Sequence, residues 1–240
     1  LIVNISVLFF STFGGAWLAR LFVSGKEYAL KVLLAFSGSF LLAITALHIL
    51  PDIFLESGHN HSIGIFILMG ILLQIVLEFF TQGIEHGHLH HHNGLAHHQM
   101  LSPAAVGGLY LHSFLESLPL GVQWLNESGG ILFWGIVLHH LPVGIILYTM
   151  FKAVGMKRQK ILLFLGLFAL SSPAGALTGF FVPIFRDIYL YLLAIVAGIF
   201  MHISTTIIFE TNHNHRFNLM KVISFILAVI LAYQLVENFH

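Results

Sequence analysis

Eight apolar runs of about 20 residues follow one another along this chain, and no other feature restricts its fold so tightly. They are Leu1–Phe22, Tyr28–Phe54, Ile63–Thr81, Pro103–Leu125, Ile131–Phe151, Ile161–Phe181, Ile188–Glu210 and Phe217–Phe239. A helix of that length, rising about 1.5 Å per residue, crosses the roughly 30 Å hydrocarbon core of a bilayer. Lipid offers the backbone no hydrogen-bond partner, so each run must satisfy its own amides and carbonyls, which an α-helix does. The expectation is an all-α membrane protein with a single transmembrane domain over residues 1–240, folded as an eight-transmembrane-helix bundle. A charged content of 8% is about a third of the roughly 25% found in soluble domains, which removes a soluble reading.

The connections are short except for 82–102, where Glu85-His-Gly-His-Leu-His-His-His-Asn-Gly-Leu-Ala-His-His98 is too polar to cross. Basic residues orient the bundle. Arg20, Lys26, Lys31, Lys152, Lys157, Arg158, Lys160, Arg216 and Lys221 surround the connections after the first, third, fifth and seventh runs, leaving Arg186 alone on the opposite side. Lys and Arg gather at cytoplasmic loops, so both termini are expected to be extracytoplasmic and 82–102 to be a histidine-rich cytoplasmic loop. The chain opens at Leu1 rather than methionine, consistent with removal of an upstream segment. Lys+Arg and Asp+Glu balance at 10 each, which argues against a nucleic-acid partner, whose phosphates demand a basic excess. Cysteine is absent, so neither a disulfide framework nor a thiolate metal site is available.

Ionisable residues inside the runs are expensive and mark ion paths more often than decoration. His112 and Glu116 stand four apart in the fourth run, one turn apart on one helix face, where a single ion can touch both. Pro119 cannot give Leu115's carbonyl its usual amide hydrogen, which leaves a backbone oxygen free nearby. In the fifth run His139, with His140 beside it and Pro142 beyond, repeats the pattern at the same depth. Imidazole with carboxylate is a ligand set for zinc or another divalent first-row cation. The metal ligands expected are therefore His112, Glu116 and His139, with the neighbouring His140 a fourth candidate that points about 100° around the helix, toward a neighbouring helix or a supporting oxygen. His48 and Asp52 make a similar pair near the outer end of the second run and suit an entrance. His202, near the middle of the seventh run, reads as a histidine bonded to a neighbouring helix. Seven histidines of the polar loop, His86, His88, His90, His91, His92, His97 and His98, are expected to capture metal on the cytoplasmic side.

On these residues the chain resembles the Zrt/Irt-like, or ZIP, family of divalent-metal transporters. The second run ends in His48-Ile-Leu-Pro-Asp52, similar to the family's His-x-x-Pro-acidic pattern. His112-Ser-Phe-Leu-Glu-Ser117 keeps the histidine and glutamate of the family's His-Asn-x-Pro-Glu-Gly. His139-His-Leu-Pro-Val143 resembles His-Glu-x-Pro-His/Glu, Ser172-Pro-Ala-Gly-Ala176 resembles Glu-Pro-x-Gly-Ala, and Ala197 to Phe200 keeps Ala-Gly-x-Phe. The resemblance implies a ZIP-type bundle with the fourth and fifth helices at its centre and the first and last three as an outer scaffold of inverted repeats. It implies transport of Zn²⁺ or a similar divalent cation toward the cytoplasm, with the metal as cargo rather than cofactor. Val143 and Ser172 replace the residues that hold a second ion in the family, so one ion is expected, not two.

Other classes fit parts of the pattern: a non-transporting metal sensor, a haem-binding helical bundle, or a zinc hydrolase, whose commonest His-Glu-x-x-His motif is absent. The chain is read as a multi-pass protein of the plasma (inner) membrane and not as an enzyme. Its partners are divalent metal cations and the lipid bilayer, with a homodimer allowed.

Overall fold

A computed structural model describes residues 1–22, 27–58, 60–81, 83–84, 102–125, 130–210 and 219–239. Among the described residues eight long helices follow one another and no strand occurs. They are α1 (Ile2–Phe22), α2, α3 (Ile63–Thr81), α4 (Pro103–Leu125), α5 (Gly130–Ala153), α6 (Arg158–Phe181), α7 (Tyr189–Glu210) and α8 (Leu219–Phe239). A single turn at Ile184–Asp187 precedes α7. Helix α2 runs as α-helix over Glu27–Ile44, opens into a π-helical turn at Thr45–Ile49 and resumes over Leu50–Glu56. The cause is Pro51: it has no amide hydrogen for Leu47's carbonyl and its ring crowds that oxygen. The ladder widens by one residue, and Leu50 N–H reaches Thr45 O instead.

Seven of these helices are long and apolar enough to cross a membrane. The other, α4, has the length at 23 residues but turns His112, Ser113, Glu116, Ser117 and Gln123 inward, which lowers its hydropathy while burying its polar face. It sits with α5 at the centre, as expected. The most apolar stretch of α5 is 78% buried, against 17% for α8 and 22% for α3. Helices α2 and α7 are also well inside the bundle, at 61% and 56%, so the outer scaffold is not uniform.

Pairing follows the small residues. Helix α4 lies along α6 and α5 along α1, with α1 touching α6; α3 lies along α7 and α2 along α8, with α2 touching α7. Exchanging α1 with α6, α2 with α7, α3 with α8 and α4 with α5 maps these pairings onto themselves, as two inverted repeats would. Backbone meets backbone at glycines: Gly15 and Gly144 between α1 and α5, Gly70 and Gly198 between α3 and α7, Gly121 and Gly175 between α4 and α6. Association in lipid relies on such close approach because apolar burial drives little there. A Cβ at Gly121 would overlap the carbonyl of Ala176, and one at Gly175 that of Phe114. Backbone cannot move aside as a side chain can. Gly121→Ala is therefore expected to lose about 1–3 kcal/mol or more, read as a lower thermal midpoint in detergent. Gly14→Ala, with no atom within 4 Å of the added carbon, should leave the midpoint unchanged.

Candidate metal centre

His112 and Glu116 project from adjacent turns of α4 into the middle of the bundle, 2% and 0% exposed. His112 Nε2 lies 3.4 Å from Glu116 Oε2. Across from them α5 supplies both of its histidines, the first turn after Ile136 and just before Pro142. The His139 ring stands 6.3 Å from that of His112 between centroids, nearly perpendicular at 84°. One ligating atom each from His112, Glu116 and His139 falls within 4.8 Å of the others, and all three residues are buried. Ligand atoms around a tetrahedral zinc stand about 3.4 Å apart. Small side-chain rotations bring this group to that spacing, so it can hold one ion.

His140 takes a different place. Its Nε2 meets Glu116 Oε1 at 2.5 Å, with Ser113 Oγ 3.4 Å from the same nitrogen, and its ring rests against Phe168 of α6. The carboxylate is thus gripped on one oxygen by α5 and faces the ligand group with the other. That contact orients the carboxylate from α5.

At the two positions where the resembled pattern carries further ligands, Val143 is 2% exposed and Ser172 is fully buried. Ser172 Oγ shares a 2.5 Å hydrogen bond with Ser117 Oγ, so the α4–α6 contact is closed by neutral groups.

His48, Asp52 and His202 are not members of this group. His48 and Asp52 pair at 3.1 Å across the π-helical turn of α2, partly exposed. His202 is bonded to a neighbouring helix: its Nε2 meets Glu78 Oε2 of α3 at 2.6 Å. The loop residues His86, His88, His90, His91, His92, His97 and His98 lie outside the described residues.

Reading by sequence passed over three participants. Gln74 of α3 accepts from His112 Nδ1 at 3.1 Å, Ser37 of α2 stands 3.5 Å from His139 Nδ1, and Glu78 is His202's partner. A signal for two of them existed: Gln74 and Glu78, four apart, are the only amide and carboxylate in the otherwise apolar α3. Ser37 had none, since a serine in a helix normally bonds its own preceding turn.

Compared with family models, residues 85–233 match that of the ZIP zinc transporter family. No curated protein matches the chain individually. The matched stretch exceeds half of the sequence and contains α4 to α7, most of α8, and every residue of the His112–Glu116–His139 group. An α-helical membrane bundle, a buried group of two histidines and a glutamate at its centre, and that match converge: the chain belongs to the ZIP zinc transporter family.

Proposed function

We propose that this protein carries Zn²⁺, or a divalent cation of similar size and softness, toward the cytoplasm, one ion at a time, on His112, Glu116 and His139. Divalent metal transport is the activity of the family. The buried three-ligand group is the observation that supports placing the cargo here. Two imidazoles and one carboxylate, with no thiolate in the chain, favour a borderline cation over Ca²⁺ or Mg²⁺, which want more oxygens. A single carboxylate offsets half the charge of a dication. Binding is then moderate, as a carrier needs if its ion is to leave again.

Direction rests on the clustering of Lys and Arg, which supports placing both termini outside and 82–102 in the cytoplasm. There the seven histidines of the loop receive arriving metal. Imidazole binds metal only when neutral, so this capture is expected to fade below about pH 6, as a pH titration of metal binding would show. His48 and Asp52, at the other face, serve as the entrance. Single cysteines at Asn60 and Met156 should label from opposite sides of the membrane. Labelling of both from one side contradicts this orientation.

No Gly-rich phosphate-binding motif is present to couple nucleotide hydrolysis, so the driving force is a gradient, of the metal alone or of metal and protons together. The test is Zn²⁺ uptake into proteoliposomes with and without a pH gradient. Saturable uptake down the metal gradient is expected. No uptake under either condition would turn the reading toward a non-transporting sensor.

A further inference from the structure

Gln74 is fully buried in α3, the most apolar of the spans, and the carrier reading leaves it without a task. An amide there is costly unless it is bonded. Its Oε1 lies 3.1 Å from His112 Nδ1. The approach is built into the packing one turn earlier on α4, where Gly108 lets α4 settle against α3: a Cβ there would stand 3.0 Å from the Thr81 methyl and 3.7 Å from Leu77 O.

We propose that Gln74 is a positioning residue that locks the tautomer of His112. An amide oxygen can only accept, so the ring nitrogen facing it carries the proton. Nδ1–H then donates to Gln74, and Nε2 keeps its lone pair. Nε2 is the nitrogen that faces Glu116 Oε2 at 3.4 Å, inside the ligand group. In the opposite tautomer Nε2–H would donate to that carboxylate, and the ring would be closed to metal while occupying Glu116 as well. One hydrogen bond from α3 therefore decides whether two of the three ligands are available.

The choice of amide over carboxylate carries a second consequence. Gln74 orients the ring without adding negative charge, so Glu116 remains the group's single anion and the ion can leave. A carboxylate at 74 would orient the ring equally well and raise its basicity, holding the metal longer. The contact of Ser37 with His139 is longer, its Oγ standing 3.5 Å from Nδ1 and equally far from Leu138 O.

This role rests on the carrier reading, and the experiment separates the two. Central Zn²⁺ affinity is measured by competition titration on protein lacking Glu85 to His98, alongside ¹⁵N NMR of the His112 ring in metal-free protein and Zn²⁺ flux in proteoliposomes. Gln74→Leu, an apolar change in an apolar span, is expected to weaken binding about 10–100-fold and to move His112 toward the Nε2–H form. Gln74→Glu should keep the Nδ1–H form, bind at least as tightly as the unaltered protein and turn over more slowly. Unaltered affinity or unaltered tautomer in Gln74→Leu, or a Gln74→Glu protein as weak as Gln74→Leu, overturns the positioning role while leaving the carrier reading in place. An unaltered protein that binds no ion at the centre overturns both.

Discussion

Glu116→Gln is expected to abolish central metal binding and Zn²⁺ uptake together, a loss of at least 100-fold in each. The substitution keeps the shape of the side chain and removes its charge, so the change isolates electrostatics. Glu116 is the only carboxylate in the ligand group, and its two oxygens face His112 and His140. Without it a dication would enter a buried site with no compensating charge, which costs several kcal/mol even after relaxation. His140→Ala is expected to weaken binding less, because it loosens the carboxylate without removing it. His112→Ala, which deletes a ligand, should resemble Glu116→Gln. Isothermal titration of each variant gives the order, and a His140→Ala protein weaker than Glu116→Gln would show that His140 is itself a primary ligand.

The second large effect is a gain. Val143 lies one turn beyond His139 on the same buried face of α5, and glutamate differs little from valine in volume. Val143→Glu is expected to tighten central binding roughly tenfold or more, because a second carboxylate completes the charge balance of a dication. It should also admit a second ion, since two Zn²⁺ about 4 Å apart repel too strongly for one carboxylate to offset. The same change should slow release and lower uptake. Elemental analysis and flux on the purified variant test both arms; weaker binding than the unaltered protein would mean that Val143 does not face the ligand group.

Much of this architecture was legible because a bilayer simplifies the physics. Runs long enough to cross must be helices, and the structure places all eight within a few residues of where hydropathy set them. His112, Glu116 and His139 could be picked out because an ionisable group in such a run demands a partner. What hydropathy could not show is where a side chain's second hydrogen bond goes. Gln74 and Ser37 reach the ligand histidines from helices 38 and 102 residues away in sequence, and no spacing rule spans that distance. Helix geometry turns His140 about 100° from His139, toward a neighbouring helix or a supporting oxygen, and its Nε2 meets Glu116 Oε1. The π-helical turn at Thr45–Ile49 also escaped reading, although Pro51 is its cause, because a proline can equally kink or end a helix.

One divalent cation is expected between His112, Glu116 and His139. Protein lacking Glu85 to His98, equilibrated with Zn²⁺ and freed of loosely held metal, can be crystallised and its ions located by anomalous scattering at the zinc edge. One peak within bonding distance of all three side chains is predicted, vanishing in Glu116→Gln. Two peaks at the centre, or a single peak that survives the substitution, would contradict the account.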